Sequence, residues 1–182
     1  MDNHSFLFRK AQMSDLETVL TVLDEAAQHV KGQGDYWKAY RKDTPLFEKW
    51  AKPRVEDQIG KGNVYVALSG GEIIGTYNLS TEAPPWHQYK GDIVPWKATG
   101  KALYLSGIGV RPSYQGKGCA TAIIQYVEED AKEIGCTSVR LDTAQNSVHM
   151  RNRAIKLGYT PIHVRDEPED IVLQRHFLEK VI

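Results

Sequence analysis

Between residues 103 and 135 an apolar strand runs into a short polar turn, and the turn into an amphipathic helix that opens on glycines. No other stretch narrows the fold as far. Leu103-Tyr104-Leu105-Ser106-Gly107-Ile108-Gly109-Val110 reads as the strand. Arg111-Pro112-Ser113-Tyr114 is the turn that ends it, since proline cannot donate to a ladder. After Gln115-Gly116-Lys117-Gly118-Cys119-Ala120, the residues Ile123, Val127, Ala131 and Ile134 recur on one helical face. Glu128 and Lys132 stand four apart on the wet side, in the favourable order, and Gly135 stops the helix. A helix crossing of this kind makes the next strand, Thr137 to Thr143, parallel to the first.

The physics of the turn is anion binding. A helix N-terminus leaves unpaired N–H groups and carries roughly half a positive charge. Gly116 and Gly118 remove the side chains that would keep a phosphate off the backbone. Several charge-assisted bonds at roughly 1.5–3 kcal/mol each could hold a pyrophosphate there. Two glycines alone fit a softened helix start equally well. The run matches neither G-x-G-x-x-G nor G-x-x-x-x-G-K-S/T, which leaves the dinucleotide and P-loop readings weak.

The rest of the chain surrounds this unit with strands. Ser5 to Lys10 reads as a first strand, and Ser14-Asp15-Leu16-Glu17 as a capping box opening a helix striped with Leu16, Val19, Leu20, Leu23 and Ala27. Gly32 and Gly34 are its expected end. A weaker helix spans about 46–60, interrupted by Pro53. Two strands, Asn63 to Ser69 and Glu72 to Ser80, meet at Gly70-Gly71 as a hairpin. Asn146 to Leu157 reads as a helix stopped by Gly158. Tyr159 to Arg165 and Ile171 to Leu178 read as strands joined through Asp166-Glu167-Pro168-Glu169-Asp170. The sum is an α/β fold: a mixed, mostly antiparallel sheet of about seven strands, with a parallel central pair and helices on both faces. At 182 residues it is expected to form a single domain over 1–182.

Residues 81–101 are the irregular part, with three prolines, Trp86, Trp96 and Tyr89. A structureless loop this long is functional or disordered, and its aromatics argue against disorder. Lys+Arg and Asp+Glu number 23 each, so the basic excess usual in a nucleic-acid binder does not appear. No apolar run approaches a membrane span and the N-terminus lacks a signal-peptide pattern. Cys119 and Cys136 have no metal-ligand spacing and read as free thiols. A cytoplasmic monomer or homodimer without metal, nucleic-acid partner or membrane partner is expected.

Gln115-Gly116-Lys117-Gly118-Cys119-Ala120 resembles the Q/R-x-x-G-x-G/A signature of the GNAT family of N-acetyltransferases. Ile108-Gly109-Val110-Arg111-Pro112, Leu141-Asp142-Thr143, Asn146 and Leu157-Gly158-Tyr159 fall in the family's order, so the resemblance covers about 100–178. It implies transfer of an acetyl group from acetyl-CoA, a co-substrate, to a primary amine on a small molecule or peptide. It also implies that Gln115, Gly116, Lys117, Gly118, Cys119 and Ala120 cradle the pyrophosphate. The parallel strands would splay around pantetheine, paired by the main chains of Ile108 and Val110. Asn146 would touch the cofactor, or cap the following helix, for which asparagine is equally suited.

The catalytic groups are less defined. Many members carry a tyrosine four residues before the glycine of the last helix, as acid toward the leaving thiolate. Here that position is Ala154. For the base, Glu82 and Asp142 are candidates, as is Ser106 acting through water, and each also reads as an ordinary strand residue. His87 and His149 are alternative proton carriers. Cys119 as an acyl carrier lacks an adjacent histidine. Two other functions stay open: a weakly active or inactive acyl-CoA-binding sensor, and transfer of a longer acyl chain with the aromatic loop lining its tunnel. Strand directions place loop 81–101 at the amino end of the strand before the signature. The acidic turn 166–170 is expected at that end too, if its first strand runs against Thr137–Thr143. It would there attract a cationic acceptor.

Overall fold

The computed structural model describes residues 5–30, 35–89, 91–166 and 174–182. A seven-stranded sheet takes the order β1-β2-β3-β6-β7-β9-β8. Its strands are β1 (Leu7–Lys10), β2 (Val64–Ser69), β3 (Glu72–Ser80), β6 (Ala102–Val110), β7 (Ser138–Ala144), β8 (Thr160–Asp166) and β9 (Gln174–Val181). A separate hairpin joins β4 (Gln88–Tyr89) and β5 (Asp92–Ile93). The helices are α1 (Leu16–His29), α2 (Lys52–Gly60), α3 (Cys119–Glu133) and α4 (Val148–Lys156). β6 and β7 are the parallel pair, and β1/β2, β2/β3, β7/β9 and β8/β9 are antiparallel. This is the mixed, mostly antiparallel sheet expected from the sequence.

The chain divides into two compact units, one of residues 1–78 with 107–123 and one of 79–106 with 124–182. Each unit takes segments from both halves of the chain.

In the first unit α1 buries Val19, Leu20, Leu23 and Ala27 in a core with Phe47, Val55, Val64 and Val66. The α1 start differs from the expected capping box. A short turn at Met13–Asp15 precedes the helix, and the Asp15 carboxylate accepts the Gln12 amide at 2.8 Å. Arg9 binds the same carboxylate at 2.6 and 3.0 Å, which fixes it there instead of leaving the box to Ser14 and Glu17. The expected stop at Gly32 and Gly34 lies outside the described residues. Phe47–Ala51 forms a single wide π turn that leads into α2, so Pro53 falls in the first turn of α2, where its missing amide costs least. Gly70 and Gly71, at φ of 59° and 84°, make the two-residue hairpin.

β6 meets β3 in this unit. The Arg111 amide donates to the Ile74 carbonyl at 2.9 Å, and a Cβ on Gly109 would meet Thr76 and one on Gly107 would meet Asn78. Partners that rise along β6 therefore fall along β3, so the pair is antiparallel. Gly107 has φ of +62°, a bend inside the strand that an unbroken apolar run does not announce. Gly109 lets α1 approach: a Cβ there would stand 3.2 Å from Leu23 Cδ2.

In the second unit the register sets which side chains share a face. Tyr104 pairs with Arg140, Glu179 with Arg140, Phe177 with Asp142, and His163 with Phe177, so all six point to one side. Lys180 points to the other side, where Glu128 of α3 binds it at 2.6 Å. The side opposite α3 is covered by the irregular segment 84–98.

One topological expectation is overturned. β9 lies between β7 and β8, antiparallel to both, so β8 runs in the same direction as β7. The chain from Asp166 to Gln174 therefore leaves and returns at the carboxyl end of β7, where Ala144 pairs with Arg175. The condition that placed the acidic turn at the amino end fails. Glu167, Pro168, Glu169 and Asp170 themselves lie outside the described residues.

Candidate active site

The signature turn is built from backbone. Gly116 and Gly118 adopt φ of +77° and +89°, and among the described residues, their chain neighbours aside, no atom lies within 4 Å of a Cβ added at either. Left-handed residues immediately before a fifteen-residue helix turn successive amides outward onto one side. Gln115, Gly116, Lys117 and Gly118 are exposed, Ala120 is half-buried, and Cys119 is buried. A Cβ on Gly75 would stand 3.5 Å from Cys119 Sγ, so this thiol packs against the sheet. Lys117 Nζ sits 5.1 Å from the Tyr114 ring centroid, leaving the loop's main chain uncovered. The arrangement fits an anionic group with several oxygen acceptors, such as a pyrophosphate.

The strand end beside the turn directs part of its backbone away from β3. Since Arg111 is bonded to β3, alternate residues Gly109 and Gly107 face β3 as well. The amide and carbonyl groups of Ile108 and Val110 therefore point away from it. The Gln115 side chain donates to the Val110 carbonyl at 3.1 Å and ties turn to strand. Arg111 braces the other side, donating to the Ile73 carbonyl at 2.9 Å and to Glu25 at 2.8 Å.

In the second unit the β6/β7 ladder runs from Ala102↔Ser138 to Leu105↔Leu141 and stops, although β7 continues to Ala144. Asp142 is the first residue past that ladder. Its side chain is 7% exposed and its oxygens are fully engaged. Trp86 Nε1 donates to Oδ1 at 3.0 Å, His87 Nε2 stands 3.0 Å from the same oxygen, and Arg175 binds Oδ2. Burial by itself raises the Asp142 pKa, but the His87 hydrogen bond and the Arg175 charge outweigh it and bring it to about 2. A carboxylate so acidic and so well bonded is a poor proton acceptor at neutral pH. Asp142 is thus placed as an anchor rather than as the base.

A second buried carboxylate works in the same way. Glu179 accepts Arg140 Nε at 2.8 Å and the Lys97 and Ala98 amides at 2.7 and 3.3 Å. Arg140 also donates to Tyr104 Oη at 2.8 Å and the Ala98 carbonyl at 2.6 Å, beneath Trp96 at 4.8 Å. Burial pushes the Glu179 pKa up, and the Arg140 bond and two amides pull it below its ordinary value. Asp142 and Glu179 together hold residues 86–98 against the sheet. Asp92 adds a third tie, to His163 at 2.9 Å.

The other candidates lie apart from these clusters. Glu82 is exposed, its amide donating to Ser80 Oγ at 2.9 Å. Ser106 is half-buried beside the Gly107 bend. Asn146 is exposed, and Ser147, not Asn146, is the N-cap residue of α4. Ala154 is fully buried. Tyr159 is buried too, its hydroxyl pKa pushed far up by burial and by Glu128, which suits a packed ring and not an acid. Among the described residues no group of three or more His, Cys, Asp or Glu could hold a metal ion. No described helix is long and apolar enough to cross a membrane.

Sequence reasoning missed Arg140, Arg175 and Glu179. The available signal was charge placed at alternate positions of apolar strands, Arg140 and Asp142 in one, Arg175 and Glu179 in another. Which charges meet depends on the register, which only the paired strands define.

The sequence model of the "Acetyltransferase (GNAT) family" matches residues 23–159. Over 117 residues the chain is 24% identical to an uncharacterized N-acetyltransferase, YvbK, of Bacillus subtilis (strain 168). That match takes in 64% of this chain and 65% of the relative, a little under two thirds of its length. A GNAT-family acetyltransferase from Streptococcus agalactiae 2603 shares the fold at a TM-score of 0.77, with 18% identity and 99% of each chain covered. The PaiA N-acetyltransferase of Thermoplasma acidophilum, solved in complex with coenzyme A, superimposes at a TM-score of 0.70 with 18% identity, covering 98% of this chain and 99% of that one. With three quarters of its length inside the family match, the chain belongs to the acetyltransferase (GNAT) family.

Proposed function

We propose that this protein transfers an acetyl group from acetyl-CoA to a primary amine by direct attack of the amine on the thioester. The GNAT family uses acetyl-CoA and acts on amine acceptors, and this chain's own residues suit that chemistry. The observation that carries the reading is the open pair of left-handed glycines, Gly116 and Gly118, at the start of α3. The amides of Gly116, Lys117, Gly118, Cys119 and Ala120 hold the pyrophosphate. The main chains of Ile108 and Val110 pair with pantetheine and the acetyl carbonyl, Gln115 keeps the Val110 carbonyl in place, and Asn146 is a further contact.

Positioning supplies most of the rate, because holding amine and thioester together removes a bimolecular entropy cost. An acid for the leaving group is dispensable. A thiol of pKa about 8.5 needs only roughly 2 kcal/mol to depart as thiolate at pH 7. Release of free thiol from acetyl-CoA over a panel of small amines and peptides tests the reading, with calorimetry for acetyl-CoA affinity. Absence of acetyl-CoA binding refutes it.

A second reading, a non-catalytic acyl-CoA sensor, draws on one observation: Ala154, fully buried, stands where many members carry the acid tyrosine. Tight acetyl-CoA binding with no turnover on any amine selects it.

A further inference from the structure

The strand that Arg111 binds is irregular. Ala67 of β2 pairs with Gly75 but Leu68 pairs with Ile73, so Ile74 is an extra residue in β3, a β-bulge. In an unbroken strand successive carbonyls point to opposite edges. Here the neighbouring carbonyls of Ile73 and Ile74 both accept from Arg111. Its amide takes Ile74 and its Nε takes Ile73, each at 2.9 Å. Nη1 donates to Glu25 of α1 at 2.8 Å, and Glu72 stands 3.7 Å from Nε. One arginine thus joins the end of β6, the bulge of β3 and α1.

Arg111 is also where β6 becomes the signature turn. Its carbonyl accepts the Tyr114 amide at 2.9 Å around the short turn Pro112–Tyr114, and the Gln115 side chain holds the Val110 carbonyl before it. The surroundings are close-packed. A Cβ on Gly75 would stand 3.2 Å from the Gly109 carbonyl oxygen, and one on Gly109 would stand 3.2 Å from Leu23 Cδ2. A shift of the Arg111 main chain therefore carries Val110 and the turn leading to Gly116 and Gly118 with it. Backbone amides bind a multivalent anion well only when they converge on it, so their strength depends on how firmly the root of the turn is held. The guanidinium has a different task from theirs, because its charge already faces Glu25 and Glu72.

We propose that Arg111 is a positioning residue for acetyl-CoA. Bound to the β3 bulge and to Glu25, it fixes the main chain of Val110 and the signature turn in the arrangement that receives the ligand. The proposal rests on the acetyltransferase reading, and every group it uses belongs to the unit of 1–78 and 107–123 that carries the two glycines. Arg111 acts through the backbone it holds and touches no ligand atom. Glu25, on a helix far from the turn in sequence, takes part by keeping the guanidinium in place.

Arg111→Met removes both side-chain bonds and keeps an apolar stem of similar reach. Calorimetry well below each protein's Tm is expected to show acetyl-CoA affinity lowered ~10-fold or more. In turnover the loss should appear in KM for acetyl-CoA and leave KM for the amine unchanged. A merely structural tie would lower Tm and the active fraction and leave affinity alone. Glu25→Gln separates positioning from direct contact by the sign of its effect. Loosening Arg111 from its carboxylate should weaken acetyl-CoA binding by roughly threefold, whereas a guanidinium that bound phosphate itself would be freed and bind it more tightly. Wild-type affinity in Arg111→Met, or equal or tighter binding by Glu25→Gln, overturns the proposal. Should the methionine variant fail to fold, the glutamine variant decides by the same criterion. Wild type that binds no acetyl-CoA refutes the acetyltransferase reading itself, and this proposal with it.

Discussion

The signature turn at 111–118 and the aromatic segment at 84–98 are both irregular, yet they are held by opposite means. The turn is local: glycines of unusual φ, a proline, and a glutamine reaching five residues back to Val110. What it presents is backbone amides, and little but a missing Cβ is needed to present them. The segment is held by side chains 42 to 82 positions away along the chain, through two buried carboxylates and their arginines. The first arrangement leaves an open polar surface, suited to a ligand that arrives already charged. The second consumes its charges internally, suited to a wall that stays in place. Main-chain sites tolerate changes of side chain, whereas buried charge clusters tolerate almost none.

Removing one partner of the wall should have the largest effect. Glu179→Gln leaves Arg140 buried without its counter-charge and weakens the hold on the Lys97 and Ala98 amides. A loss of about 3–5 kcal/mol is expected, a fall in Tm of roughly 10 °C. A thermal midpoint within 2 °C of wild type, on the order of 1 kcal/mol or less, would show that the cluster does not hold the segment.

The turn should respond in function instead. Gly118→Val is expected to cost acetyl-CoA about 100-fold in affinity, the value of one or two charge-assisted bonds, while the fold persists. Space is open at this Cβ, so the structural cost is backbone strain of about 1–2 kcal/mol. Calorimetry showing unaltered affinity would remove the pyrophosphate from this loop.

Acid should loosen the wall and leave the turn intact. The Asp142 pKa is lower in the folded protein, about 2, than in an unfolded chain, about 4. Its stabilisation is therefore complete above pH 4 and is lost as pH falls toward 2, by about 2 kcal/mol. Denaturant titrations from pH 5 to 2 should reveal this slope, and Asp142→Asn should flatten it. Equal slopes in both proteins would assign the acid sensitivity elsewhere.

The smallest effect is expected at Lys117→Ala. This side chain lies near the Tyr114 ring and adds a screened charge to a site made of amides, so affinity should fall less than fivefold, about 1 kcal/mol. A hundredfold loss would make the turn a side-chain site like the wall.

The sequence by itself determined whatever depends on neighbours along the chain. Gly70-Gly71 announced its hairpin, the stripe Ile123, Val127 and Ala131 announced α3, and Gly116 with Gly118 announced an anion cradle. In each the cause is a local backbone preference or a fixed periodicity, legible without knowing what lies opposite. Tertiary structure decided the rest. The insertion of β9 between β7 and β8 reversed the direction expected of β8 relative to β7. The bend at Gly107 stands beside Asn78 of another strand, and the relocated cap at Asp15 depended on Arg9. Asp142 read as a free strand-end carboxylate until His87, Trp86 and Arg175 were brought to it from 55, 56 and 33 positions away. A charge's role follows from its partners, and partners on separate strands are fixed only when pairing sets the register.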